Sequence, residues 1–279
     1  PGPRDLLAGI DVVFPVIHGR GGEDGSLQGV LEVAGIPFVG SGVLASALGM
    51  DKRAATRMLS ASGIPTIETR SVTRIDELPQ VVRGMPLPLF IKPNRAGSSV
   101  GADRVDDLES LVPTVQAALR EDDVALIQPL VVGREVSVGI LEARGEVRAS
   151  GASLLHLGSD QEFFSYAGKY GGGETQLEIP ARLDSTLLVA LQNVAIAAFE
   201  QLGCAGLARV DFFVRDDGSF VLNEINTLPG FSEQSHYPRL WRACGVEYDE
   251  LVATLIREAC VPEPAGAVVP GAFVPAGTT

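Results

Sequence analysis

The stretch LARVDFFVRDDGSFVLNEIN, residues 207–226, constrains this chain more than any other. It reads as a hairpin, with strands at 207–214 and 219–223 around the turn Asp216-Asp217-Gly218. Residues two apart on a strand face the same side, so Arg209 shares a face with Asp211, and Glu224 shares one with Asn226 on the paired strand. Two carboxylates and one amide oxygen then converge. That is a hard oxygen donor set, suited to Mg²⁺ rather than zinc. A magnesium ion held by so few protein ligands completes its shell with phosphate oxygens and water. The competing reading is a surface hairpin with solvated charges. Leu207, Val210, Phe212 and Phe220 make the hairpin too apolar for it.

The remaining pattern is that of a mixed α/β chain. DVVFPV at 11–16 reads as a buried strand, the glycine-rich loop and helix that follow end at Gly35, and 36–39 reads as a second strand. Strand, loop, helix, strand is a βαβ-like unit. A helix is expected at 52–62, stopped by Gly63 and Pro65, and a strand at 88–92. Helical spacing covers 106–119, a strand 124–128, and a hairpin 135–142 with 146–154 around 143–145. Residues 156–178 have no regular pattern and contain Gly171, Gly172 and Gly173; a loop of that length in a compact domain is a functional lid or a disordered piece. Leu188, Leu191, Ala195, Ala198, Phe199 and Leu202 mark one face of a helix at 185–202, and 248–260 closes the chain's regular structure. The Pro-, Gly- and Ala-rich residues 263–279 read as a disordered tail.

A chain of 279 residues with 35 acidic and 22 basic side chains carries a formal net charge of -13. Binding to nucleic acid or to an anionic membrane rests on dense Lys and Arg, so neither is expected as a partner. An anionic substrate must meet a few local cations, backbone N–H groups or a metal. No secretory leader and no apolar run long enough to span a bilayer are seen, and a cytoplasmic protein is expected. Cys204, Cys244 and Cys260 form no metal or redox motif and are expected to be buried, reduced thiols.

Two further segments are candidates for chemistry. Lys92 is followed by PNRAGSSVG, whose Gly97, Ser98, Ser99 and Gly101 could aim backbone N–H groups at phosphate. It is not a P-loop, and a flexible turn explains it equally well. HGRGGEDG at 18–25 follows a strand, where a glycine-rich turn often builds a ligand site. His18 there could bond a substrate or only cap the turn. Lys169 and Tyr170 sit on the expected lid, where a solvated loop tip is the plain alternative. His156 and Trp241 carry no pattern and read as structural.

Taken together, these segments resemble the D-alanine–D-alanine ligase family of the ATP-grasp fold. HGRGGEDGSLQG at 18–29 and LGCAGLARVDFFVRDDGSFVLNEINTLPG at 202–230 carry the resemblance, with KPNRAGSSVG and YAGKYGGGETQ in the same order. It extends over about residues 11–255. It implies an N-terminal Rossmann-like substrate domain at 1–51, a central ATP-grasp domain at 52–127 acting as a small lid, and a C-terminal antiparallel-sheet catalytic domain at 128–262. It implies ligation of two D-alanines for peptidoglycan precursors, through an acyl phosphate made with ATP and two Mg²⁺ ions, Mn²⁺ being an admissible substitute. By position, Lys52, Lys92 and the Ser98–Gly101 backbone, Ser99 included, match phosphate-holding groups, Gln128, Pro129 and Val131 the adenine hinge, and Glu135 the ribose carboxylate. Asp211, Glu224 and Asn226 match the metal ligands, and Arg209 with the Gly230 N–H match the oxyanion's partners. His18 matches a first-substrate residue and Ser235 one at the second substrate's carboxylate. Lys169, on the lid beside Tyr170, is a candidate substrate-binding residue, and Tyr170 and Ser98 match a cluster that closes the lid. A homodimer is implied by analogy alone.

Three departures from the family pattern stand out. The family's opening strand, glutamate-bearing turn and helix have no counterpart, which implies a fragment or an altered first subsite. Pro129 stands in the adenine hinge, and His236 beside Ser235 where an apolar residue is usual. A ligase using D-serine, D-lactate or another D-amino acid, and a non-catalytic nucleotide-binding relative, are the alternatives.

Overall fold

The computed structural model describes residues 7–97, 100–156 and 176–261. The tail expected at 263–279 and most of the expected lid lie outside the described residues. Two antiparallel sheets organise what is described.

The chain enters through α1 (Ser26–Ala34), which ends on Gly35 at φ 66°, a left-handed cap that glycine adopts at little cost. The two flanking strands expected from the sequence are reduced to one parallel bridge, Val13 to Phe38, so the βαβ path is kept while its sheet is minimal. Helices α2 (Val43–Met50) and α3 (Lys52–Ala61) follow, the second capped by the Asp51 carboxylate, which accepts the Ala54 N–H.

The smaller sheet has the order β1 (Arg70–Val72), β4 (Ala125–Pro129), β2 (Leu89–Pro93), β3 (Asp103–Val105). Its core is formed by Leu89, Ile91, Val105 and Ile127 against Leu111, Val115 and Ala118 of α5 (Leu108–Glu121). The short α4 (Leu78–Val81) covers the β1 end.

The larger sheet runs β7 (Gln176–Glu178), β6 (Glu146–His156), β5 (Arg134–Ala143), β8 (Leu207–Val214), β9 (Phe220–Asn226). Val136, Val138, Val210 and Phe212 alternate inward and meet Leu191, Ala195 and Phe199 of α6 (Ser185–Gln201). Ala55 and Leu59 of α3 join this same core. The other face packs Leu141 and Leu207 against Tyr237 and Trp241 of α7 (His236–Arg242) and Leu251 and Leu255 of α8 (Tyr248–Ala259).

Helices α2, α4 and α7 and the three-residue strands β1, β3 and β7 have no counterpart in the sequence reading, and β7 falls within the stretch 156–178 expected to be irregular. The cysteines differ from expectation too: Cys204 is buried, but Cys244 and Cys260 are exposed, since both sit at turns where the last helices end. Among the described residues, no helix is long and apolar enough to cross a membrane.

Candidate functional site

The smaller sheet reaches the larger one through the crossing that leads from β4 into β5, and a cleft of about 670 Å³ lies between the sheets. Lys52, Lys92, Gln128, Pro129, Val131, Glu135 and Glu224 all line it. Residues singled out in well-separated parts of the sequence thus line one cleft.

Strand geometry explains the charged end. Arg209 pairs in register with Asn226, and Asp211 with Glu224, so the four side chains stand on one face of two neighbouring strands. Arg209 grips Asp211 through two bonds, Nε to Oδ1 and Nη2 to Oδ2, each 2.8 Å. Burial drives the Asp211 pKa up, but the Arg209 charge, its hydrogen bonds and one from Ser137 outweigh that and hold it below the usual carboxylate range. Glu224 also stays below its ordinary value: burial raises it, while Lys52, Lys92 and Arg209 lower it. Lys52 Nζ lies 3.5 Å from Glu224 Oε2 and donates to the Ala96 carbonyl at 3.0 Å. Lys92 Nζ donates to Asn223 Oδ1 at 3.2 Å. Burial lowers the Lys92 pKa to about 8, against the raising effect of Glu224 and Glu135.

Among the described residues, no group of three His, Cys, Asp or Glu side chains gathers as a metal cluster. The donor set here is two carboxylates and the Asn226 amide oxygen, whose Oδ1 already accepts the Leu228 N–H at 3.1 Å. Oxygen donors directly opposite one another fit a magnesium-like ion shared with phosphate.

The glycine-rich loop before α1 closes on this end. Gly22 has no room for a side chain: a Cβ would lie 2.2 Å from the Ile17 carbonyl oxygen. Glu23 Oε1 accepts the Gly19 N–H at 2.9 Å, and Oε2 lies 3.9 Å from His18 Nδ1. Burial raises the Glu23 pKa, opposed by the Gly19 hydrogen bond and by His18 and Lys52. His18 itself is half exposed.

The Gln128 amide donates to Thr69 Oγ1 at 2.8 Å. Ser235 Oγ accepts the Ser232 N–H at 3.0 Å and lies beside Gly230, where an added Cβ would approach it to 3.2 Å. His236 points into the protein, with Nε2 2.5 Å from Ser153 Oγ. Burial, and then the Arg209 charge, lower its pKa to about 4, so it is neutral at neutral pH. Ser98, Ser99, Lys169 and Tyr170 lie outside the described residues.

Sequence reasoning missed Glu23 as a group near Lys52 and Glu224, and it missed Ser137 behind Asp211. Glu23 stood in a motif already noticed, and its place between glycines was the available signal. Ser137 pairs with Asp211 across β5 and β8, a register that the sequence does not print. His156, read as structural, lines the cleft and pairs with Glu178 at 2.8 Å.

The family model described as D-ala D-ala ligase C-terminus matches residues 58–257, and the one described as D-ala D-ala ligase N-terminus matches residues 2–41. The chain is 43% identical over 267 residues to the D-alanine–D-alanine ligase of Mycolicibacterium smegmatis, covering 91% of this chain and 70% of that one. It is 44% identical over 261 residues to the Rhodococcus jostii ligase, covering 90% and 70%. Among solved structures, the VanG D-Ala:D-Ser ligase from Enterococcus faecalis superposes with a TM-score of 0.82 at 36% identity, covering 89% of this chain and 73% of that one. The D-alanine–D-alanine ligase from Coxiella burnetii gives 0.77 at 32%, covering 90% and 68%. The two antiparallel sheets around the cleft are thus an ATP-grasp fold, and the chain belongs to the D-alanine–D-alanine ligase family.

Proposed function

We propose that this chain is an ATP-dependent ligase that joins two D-alanines into D-alanyl-D-alanine for peptidoglycan precursor synthesis. The observation that carries this reading is the register of β8 and β9, which sets Asp211, Glu224, Asn226 and Arg209 on one face beside the two cleft lysines.

The first D-alanine carboxylate attacks the γ-phosphorus of ATP, the bond to the β–γ bridging oxygen breaks, and ADP leaves. Lys52 and Lys92 neutralise the phosphate charge that shifts during this step. Two magnesium ions bound by Asp211, Glu224 and Asn226 would supply further charge neutralisation. The free amine of the second D-alanine then attacks the acyl carbon, phosphate leaves, and the nitrogen loses a proton. Arg209 and the Gly230 N–H face the oxyanion formed in between. Glu135 holds the ribose, and the backbone of 128–131 reads the adenine. His18 orients the first substrate and Ser235 the second substrate's carboxylate. Ser98, Ser99, Lys169 and Tyr170 keep the roles the family resemblance gives them. The units 1–51, 52–127 and 128–262, a cytoplasmic setting and a homodimer complete the reading.

A D-serine-using ligase is the second reading. It is favoured by the superposition on a D-Ala:D-Ser ligase and by the unusual His236 next to Ser235. Phosphate release from ATP, measured across a panel of D-amino and D-hydroxy acids, separates the two. D-Alanine alone should support full turnover, and Glu224→Ala should abolish it. A preference for D-serine over a second D-alanine would install the second reading. ADP binding with no D-alanine-dependent phosphate release would overturn both.

A further inference from the structure

A buried carboxylate lies apart from these reacting groups and touches two loops that serve them. Asp122 caps the C-terminal end of α5, and its side chain is 0% exposed. Its Oδ2 accepts the Arg95 backbone N–H at 2.6 Å, and its Oδ1 accepts Arg95 Nη2 at 2.8 Å. Arg95 is the second residue of the loop after β2: the first, Asn94, receives the Arg53 N–H on Oδ1 at 2.8 Å, and the carbonyl of Ala96 receives Lys52 Nζ. The far side of that loop rests on the same turn, since a Cβ at Gly101 would come within 2.9 Å of Glu121 Cγ. The second loop arrives from 101 residues away in sequence. Arg20 Nη2 reaches Asp122 Oδ2 at 3.4 Å and donates to the Glu121 carbonyl at 3.4 Å. Arg20 belongs to the turn that carries His18 and Glu23.

Burying a carboxylate at a helix C-terminus is unfavourable twice over, through desolvation and through the partial negative charge of the helix end. Arg95 alone supplies a bidentate partner and a backbone N–H, which is enough to hold the charge. Arg20 is therefore not needed for stability: it is 59% exposed, and its contacts are long. What it adds is a direct side-chain link between the two loops, which otherwise meet around Lys52.

We propose that Asp122 is a positioning residue that couples the nucleotide loop after β2 to the substrate turn at 18–25, through Arg95 on one side and Arg20 on the other. When nucleotide fixes Arg95 and its loop, the carboxylate is held where Arg20 can reach it, and the turn bearing His18 and Glu23 is held with it. Nucleotide and the first substrate then raise each other's affinity by the same factor. The roles of the two loops and the choice of D-alanine as that substrate rest on the functional reading above.

The test uses the exposed arm, whose truncation leaves the buried pair in place. The dissociation constant of D-alanine is measured by calorimetry with and without a saturating non-hydrolysable ATP analogue and magnesium. Wild type should bind D-alanine about threefold tighter in the presence of the analogue, within the range that a half-exposed ion pair supports. Arg20→Ala should bring that ratio to about one with the analogue's own affinity retained, and Arg20→Lys should recover part of it. An unchanged ratio in Arg20→Ala, or no ratio in wild type, overturns the proposal. Hydrogen exchange at the Gly22 and Glu23 amides, which donate to the Gly19 carbonyl at 3.2 and 3.1 Å, reads the same coupling without D-alanine. The analogue should slow exchange there in wild type and leave it unchanged in Arg20→Ala. Equal slowing in both proteins overturns the coupling, whereas failure of D-alanine to bind in any state with this slowing intact overturns only the choice of substrate.

Discussion

Lys92 should make nucleotide affinity depend on pH in a range where few other lysines would. Its ammonium is buried at the end of β2 with the Asn223 amide oxygen 3.2 Å away, and burial brings its pKa to about 8. A polyphosphate in the cleft adds negative charge and favours the protonated form, so binding takes up a proton once the free lysine has lost its own. Affinity is therefore complete below about pH 8 and declines as pH rises through that value. Between about pH 7 and pH 9 the protonated fraction falls from roughly nine-tenths to one-tenth, which corresponds to about a tenfold weaker Kd, or about 1.4 kcal/mol. Calorimetric titration with ADP at saturating magnesium reads this directly. Repeating it near pH 8.5 in buffers of different ionisation enthalpy counts the proton taken up. Lys92→Arg keeps its charge and should give a flat profile, and Lys92→Met should bind weakly throughout. A wild-type Kd that stays constant from about pH 7 to pH 9, with no proton uptake, would remove Lys92 from phosphate binding.

Two structural substitutions bear on the same site. Asp211→Asn removes the carboxylate that holds the buried Arg209 guanidinium, and it should cost about 2–4 kcal/mol, seen as a lower urea midpoint with an unchanged slope. A loss under about 0.5 kcal/mol would show that the pair is solvated rather than buried. Gly133→Ala puts a Cβ 2.8 Å from the Val214 carbonyl oxygen, so the backbone beside Val131 and Glu135 must move. It should cost about 1–3 kcal/mol and weaken ADP binding, and unchanged stability together with unchanged affinity would refute that close approach.

The parts of this site that were legible in the sequence are those governed by local period. Arg209, Asp211, Glu224 and Asn226 had to share a face once two strands and a tight turn were granted, and the observed register sets them opposite one another. The helix α6 was equally plain, because its apolar residues recur at helical spacing. Short apolar segments were not legible. VLASALGM forms α2, yet it has no polar face to distinguish helix from strand or buried loop. DVVFPV has strand composition, but only Val13 finds a partner. Contacts over long separations left no local trace at all. Arg20 reaches Asp122 and Lys92 reaches Asn223 across more than a hundred residues, and only the finished fold brings them together.

The charges of the site are balanced against one another before any ligand arrives, and that balance sets what can bind. Arg209 holds Asp211, and Lys52 lies against Glu224. A polyanion entering alone would satisfy Lys52 and Lys92 but would stand beside Glu224 and Asp211, both held in their charged forms. A divalent cation entering alone would draw those carboxylates away from Lys52 and Arg209 and leave two largely buried like charges without their partners. One unit charge about 6 Å from another costs about 3 kcal/mol at the effective dielectric of such a site, so either ligand by itself forfeits on the order of a hundredfold in affinity. Entering together, cation and polyanion replace both halves of the internal balance at once. ADP should accordingly bind far more weakly in a chelator than in magnesium, and Mn²⁺, followed by its paramagnetic resonance, should bind weakly until ADP is added. If ADP bound within about twofold as well without the metal, the carboxylates could not lie beside the phosphates, and the pairing of Asp211 with Glu224 across β8 and β9 would have to serve the fold instead of the ligand.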